Sequence, residues 1–273
     1  MLGKLMDNVC EKKPLIHNIT NYVTANDCAN ILLACKASPI MAEAEQEVEE
    51  VTSICDGLSI NIGTLVENKI PAMLKAGKRA NELGHPVVLD PVGAGVSEFR
   101  TKAAHELINQ VHFDVIRGNL SEIRALVSGV GSSRGVDTDG QDEIVNDIGA
   151  IADFAGKVAG ALDTIVVVSG ATDIVADADR VYAVSNGHNM MSRVTGCGCM
   201  LSSITAAFLA ANKEDKIEAT LAAVCAMGVA GEMAHDRLTK EDGNATYRNY
   251  IIDAIYNMDG AKLEAMARYE VIK

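Results

Sequence analysis

The residues with the most chemical potential lie in Val194-Thr195-Gly196-Cys197-Gly198-Cys199-Met200, just before a run of small residues, Leu201 to Ala211, that reads as a tightly packed helix over Cys197–Ala211. Two glycines let a ligand approach the backbone. The N–H groups of Gly196, Cys197 and Gly198, with the positive end of a helix dipole behind them, form a hole for a phosphate or for charge developing in phosphoryl transfer. The same glycines also serve a helix that merely starts against a neighbouring strand. Cys199, at that helix start, is where the dipole lowers a thiol pKa from its usual ~8.5, so that a thiolate can accept a proton. A soft-metal Cys-x-Cys site is the other chemistry of this segment, but no second Cys pair stands at ligand spacing and His112, His188 and His235 are isolated along the chain.

Other groups with chemistry stand where strands end. Asp90-Pro91-Val92-Gly93-Ala94-Gly95 and Arg117-Gly118-Asn119-Leu120-Ser121-Glu122 supply two acids and an arginine. Magnesium that bridges phosphates needs only one or two carboxylates, which Asp90 and Glu122 provide. Each also has a plain structural reading, Asp90 in an Asp-Pro turn and Glu122 in the first turn of a helix. Arg117, between glycine-rich tips, suits a bidentate phosphate clamp, or it snorkels from a strand end. Ser169-Gly170-Ala171-Thr172 forms a further polar tip. There is no Gly-x-x-x-x-Gly-Lys-Ser/Thr, no Gly-x-Ser-x-Gly, and no dinucleotide fingerprint, since Gly93-Ala94-Gly95 lacks the third glycine and follows the fourth strand.

Short apolar segments alternate with helical patterns, which predicts a mainly parallel sheet covered by helices on both faces, with ligands beyond the carboxyl ends of the strands. The strands are expected at Leu15–Ile19, Pro39–Met41, Leu58–Ile62, Pro86–Leu89, Val115–Arg117 and Ile165–Val168. A hairpin of 174–176 and 181–184 is expected at the edge. Helical spacing marks 45–55, 142–162, 216–235, 247–257 and 261–268. The uncharged run from Ala219 to Gly231 is shorter than a membrane span, is closed by Glu218 and Glu232, and reads as a buried helix.

With 273 residues, 48% hydrophobic and 22% charged, the chain can fill a core, and no Pro/Gly/Ser-rich or charge-rich stretch divides it, so residues 1–273 are read as one domain. A net charge of -13 excludes nucleic acid in the absence of a basic stripe. Small molecules are the expected ligands, and any phosphate must be held by amides, magnesium or a few placed cations. Seven irregularly spaced cysteines and a start without signal-peptide character place the protein in a reducing cytoplasm, away from membranes.

Taken together, His17-Asn18-Ile19-Thr20-Asn21, Ala37-Ser38-Pro39-Ile40-Met41, the Asp90 and Arg117 segments, Gly135-Val136-Asp137 and the glycine-cysteine loop resemble, in identity, order and spacing, the hydroxyethylthiazole kinases. The resemblance runs from about residue 14 to Thr246-Tyr247-Arg248. It implies a ribokinase-like three-layer αβα fold without a lid domain, and transfer of the ATP γ-phosphate to the hydroxyl of 4-methyl-5-(2-hydroxyethyl)thiazole in thiamine biosynthesis and salvage. It further implies a homotrimer with sites at subunit interfaces, thiazole contacts from Met41 and Gly196, ATP contacts from Arg117 and Ser169, magnesium at Asp90 and Glu122, and Cys199 where related sugar kinases carry a catalytic aspartate. Within this fold the other readings are phosphorylation of a different small alcohol, such as a hydroxymethylpyrimidine or a sugar, and a nucleotide-binding regulator without turnover.

Overall fold

A computed structural model describes residues 1–128 and 147–273; Gly135-Val136-Asp137 and the first part of the helix expected at 142–162 lie outside them. Among the described residues, six strands run parallel in the order β2-β1-β3-β4-β5-β6. They are β1 (Leu15–Ile19), β2 (Ser38–Met41), β3 (Gly57–Asn61), β4 (Val87–Asp90), β5 (Val115–Asn119) and β6 (Ile165–Ser169). Three antiparallel strands complete the sheet, β7 (Asp173–Ala176), β8 (Val181–Val184) and β9 (Tyr269–Val271).

The central strands are unbroken β-branched or aliphatic runs, such as Ile165-Val166-Val167-Val168, because both faces of a parallel sheet are covered. One face carries α1 (Leu2–Lys12), α2 (Ala25–Ala34), α8 (Cys197–Ala211), α9 (Lys216–Asp236), α10 (Asn244–Tyr256) and α11 (Gly260–Met266). The other carries α3 (Val48–Ile54), α4 (Ile70–Leu83), α5 (Glu98–Gln110), α6 (Leu120–Val127) and α7 (Ile148–Leu162). This is the expected three-layer αβα arrangement.

Two details differ from the expectation, and a third bears one out. The β7–β8 hairpin is not the sheet edge, because β9 pairs with β8 through Tyr182↔Val271 and Val184↔Tyr269. A strand of three exposed residues has too little burial contrast to show in the sequence. Second, Asp90, Asn119 and Ser169 are the last residues of their strands rather than loop residues, so their backbones are held by the ladder. Third, α9 is long and apolar enough to cross a membrane, yet most of it is buried within the fold, in keeping with the reading of a buried helix.

Helix α8 is the spine of one layer: every residue from Met200 to Ala211 is buried, and its alanines let it lie close to the sheet and to α9. Phe208, in the last turn of α8, is 1% exposed. Replacing it with Ala removes the ring and leaves a cavity, so Phe208→Ala is expected to lower stability by about 3–5 kcal/mol; a urea midpoint unchanged from wild type would contradict this packing.

Candidate active site

The carboxyl ends of β3, β4, β5 and β6 converge on the amino end of α8. Asp90 is wholly buried there. Its Oδ2 accepts from Asn61 Nδ2 at 2.8 Å and from Ser202 Oγ at 2.9 Å, while its buried Oδ1 has no hydrogen-bond partner and faces the Arg117 guanidinium at 3.6 Å. Burial pushes the Asp90 carboxyl up, against the opposing pull of Arg117. Arg117 projects from within β5, and its Nε donates to Ser169 Oγ at 2.9 Å on the adjacent strand. The two residues that the resemblance assigns to ATP are thus joined.

Gly196 starts α8 with φ +92, a conformation that favours glycine, and no side chain caps the helix. The first N–H groups of α8 have no intrahelical acceptor and remain free for a ligand. Gly198 has a different role. A Cβ there would overlap the Arg117 guanidinium, so glycine is what lets this cation lie across the helix start. Arg117 and the amides of Cys197 and Gly198 therefore present donors to one side, the wall of a cavity of about 860 Å³ that Ser169, Asp173, His188 and Met227 also line.

Cys199 lies on the inner side of this turn. Its Sγ accepts from Asn61 Nδ2 at 3.2 Å and from Asn21 Nδ2 at 3.4 Å. Contrary to the dipole argument, the thiol pKa is raised: burial dominates, and the Asp90 carboxylate adds to it, so the amide hydrogen bonds and the helix end do not produce a thiolate. Asn21 also accepts from Thr24 N at 3.1 Å through Oδ1, so it both holds the first loop and faces the site, whereas Thr20 is buried against Cys28.

Glu122 takes the structural role foreseen for it, in the first turn of α6. It forms a capping box with Asn119, accepting from Asn119 N at 2.8 Å, and its other oxygen accepts from Gly93 N at 2.9 Å. This ties the Asp90–Gly95 segment to the Arg117–Glu122 segment. Met41 ends β2, 41% exposed, separated from β4 by β1 and β3. It is not gathered with the others inside the chain. Among the described residues no three His, Cys, Asp or Glu side chains form a metal cage. Magnesium held chiefly by phosphates needs none, and the unbonded Asp90 Oδ1 together with the remaining Glu122 lone pairs fits that demand.

Asn61, Ser202 and Asp173 were not singled out by the sequence. Asn61 stands at a strand tip and Ser202 one helical turn after Gly198, signals too common to select. Asp173 accepts from Gly170 N at 2.9 Å, pinning the turn after Ser169, and burial pushes its carboxyl up to about 6. His188 and His235, isolated along the chain, are stacked with ring centroids 3.6 Å apart.

A raised thiol pKa means that Cys199 is protonated at neutral pH and loses its proton only above the ordinary thiol range. Site-resolved alkylation of Cys199 by iodoacetamide is therefore expected to be slow at pH 7 and to rise about tenfold per pH unit through pH 9. A rate that levels off below pH 8 would show a thiolate and refute the assignment.

The chain matches the model of the Hydroxyethylthiazole kinase family over residues 6–260. It is 56% identical over 271 residues to a hydroxyethylthiazole kinase of Clostridium acetobutylicum, covering 99% of each chain, and 46% identical to one of Methanocella arvoryzae, covering 94% of this chain and 93% of that one. Among solved structures, a hydroxyethylthiazole kinase protein from Pyrococcus horikoshii superposes with a TM-score of 0.87 at 38% identity, covering 100% of this chain and 99% of that one. A pyridoxal kinase from Staphylococcus aureus, solved with ADP, shares the fold alone, with a TM-score of 0.62 at 16% identity, covering 95% of this chain and 98% of that one. The chain belongs to the hydroxyethylthiazole kinase family.

Proposed function

We propose that this protein is an ATP-dependent kinase that transfers the γ-phosphate of ATP to the primary hydroxyl of 4-methyl-5-(2-hydroxyethyl)thiazole, giving the thiazole phosphate used in thiamine biosynthesis and salvage. The observation that carries the reading is the Arg117 guanidinium lying across the uncapped start of α8 at Gly198, at the mouth of the large cavity. In a protein of net charge -13, this is a local concentration of donors suited to a polyphosphate.

In this reading ATP lies in the cavity with its phosphates toward Arg117, Ser169 and the Gly196–Gly198 amides. Asp90 and Glu122 hold magnesium, which when bound neutralises phosphate charge. The alcohol reaches Cys199, flanked by Gly196. Cys199 enters as a neutral thiol, with Asn21 and Asn61 able to stabilise negative charge on sulfur only as it develops. A loose phosphoryl-transfer transition state removes the alcohol proton late, so a strong base is not required, and alignment with Arg117 and the amides supplies most of the acceleration. A neutral, partly apolar site also suits a flat thiazole better than a polyhydroxylated sugar.

Met41 serves the thiazole from a neighbouring subunit in a homotrimer. Tyr22 and Val96, 79% and 84% exposed in loops at the same end of the sheet as Met41, are surfaces that such an assembly would cover. A cytoplasmic location fits seven cysteines that are all free thiols. The chain works as one kinase domain over residues 1–273.

Purified protein with ATP, magnesium and the thiazole alcohol is expected to form ADP and the thiazole phosphate stoichiometrically, and Gly198→Ala, which displaces Arg117, to lose about 10²-fold or more in kcat. Alcohol-independent ADP release, or nucleotide binding with no turnover, would favour the regulatory reading. Sedimentation equilibrium is expected to give three times the 28.9 kDa chain mass; a fully active monomer would sink the shared-site arrangement.

A further inference from the structure

Part of the wall of the cavity that Arg117 lines is a short connection, Ser185 to His188, that follows β8. Asn186, Gly187 and His188 all line the cavity. This connection is pressed between α9 and the segment that leads into β9. From α9, Gly228 lets the helix touch it: a Cβ there would come within 2.6 Å of the Asn186 side chain. One turn on, Glu232 Oε1 accepts from Gly187 N at 2.7 Å and from Asn186 Nδ2 at 3.3 Å.

The same carboxylate is gripped from the other side by Arg268, whose two terminal nitrogens donate at 2.5 and 2.9 Å in a fork. Arg268 reaches the wall directly as well. Its Nη2 donates to Ser185 O at 3.2 Å, its backbone N donates to Asn186 Oδ1 at 2.6 Å, and its backbone O accepts from Ser185 N at 3.0 Å. Asn186 Nδ2 also donates to Met266 O at 3.1 Å. Six of these hydrogen bonds therefore end on residues 185–187, and each comes either from α9 or from the chain just before β9.

We propose that Glu232 and Arg268 are positioning residues for the nucleotide, fixing the Ser185–His188 wall so that the cavity is preformed for the base and ribose end of ATP. The inference rests on the reading that this cavity takes the nucleotide. Neither side chain stands among the groups placed at the phosphates or at Cys199, so the pair acts on nucleotide affinity and not on the chemical step. Burial alone would push the Glu232 carboxyl up; Arg268, Gly187 N–H and Asn186 outweigh it and hold the carboxyl below its usual range, so the clamp stays charged through neutral pH.

The test is titration calorimetry with ADP and, in parallel, steady-state kinetics, on wild type, Arg268→Ala, Glu232→Gln and Arg268→Lys. Arg268→Ala and Glu232→Gln are expected to weaken ADP binding and raise the KM for ATP about five- to tenfold. The kcat and the KM for the thiazole alcohol should stay within about twofold, and Arg268→Lys should recover part of the affinity. A merely structural role would instead lower thermal stability and leave the ADP affinity of the folded protein at the wild-type value, which overturns the proposal. Wild-type protein that binds ADP but phosphorylates no thiazole alcohol would overturn the proposed function alone, since ADP affinities of the variants still decide the clamp. Wild-type protein that binds no ADP overturns both.

Discussion

Asp90 has lost its water on every side, and the groups around it are arranged by what remains of its charge. Asn61 and Ser202 satisfy one oxygen, and the other is left to Arg117 without a hydrogen bond. Removing a carboxylate from water costs far more than an exposed ion pair returns, which is why burial still outweighs Arg117 in setting its pKa. A buried acid in this condition stabilises nothing by itself. It has a use only if a positive species arrives to share it, and the arginine beside it is already turned outward, bonded through Nε to Ser169 and laid on Gly198.

That constraint accounts for the shape of the loop above. Arg117 occupies the space of a side chain at 198, so the residue there can have none. Helix α8 begins without a side-chain cap for a separate reason: its N-cap, Gly196, has φ +92, and a Cβ there would come within 2.8 Å of Thr24. The uncompensated amides and the guanidinium share one opening, and their combined field works locally against the -13 charge of the whole chain, which is what the proposed phosphate site requires.

The sequence made α8 legible to the residue, because a glycine-led run of small apolar residues without charges has no other packed form, and the parallel strands were legible as unbroken aliphatic runs. The partners of Asp90 were not. Asn61 and Ser202 reach it from β3 and α8, 29 and 112 residues away along the chain, and no local pattern links them. The pKa of Cys199 was misjudged for a related reason: a helix dipole is a local feature that sequence reveals, whereas burial and a neighbouring carboxylate are products of the tertiary fold and here exceed it. Strand β9 escaped because three exposed residues carry no burial signal. Glu122 was visible in both its readings, and the capping box shows that the structural one holds whatever else its carboxylate does.

The raised pKa at position 199 also bears on the proposed reading, in which a thiol stands where the resemblance implies an aspartate in sugar kinases. A carboxylate at this position would add a second negative charge close to Asp90, in a space that already disfavours one. A thiol carries no charge at neutral pH, still accepts the Asn21 and Asn61 amides though more weakly than a carboxylate would, and adds no negative charge beside Asp90. Such a site has little basicity to offer an alcohol. On the proposed reading its catalytic strength comes from donors that are in place before the substrates arrive, and those donors, Arg117 and the first amides of α8, are held by strand ladders and by a glycine rather than by flexible loops.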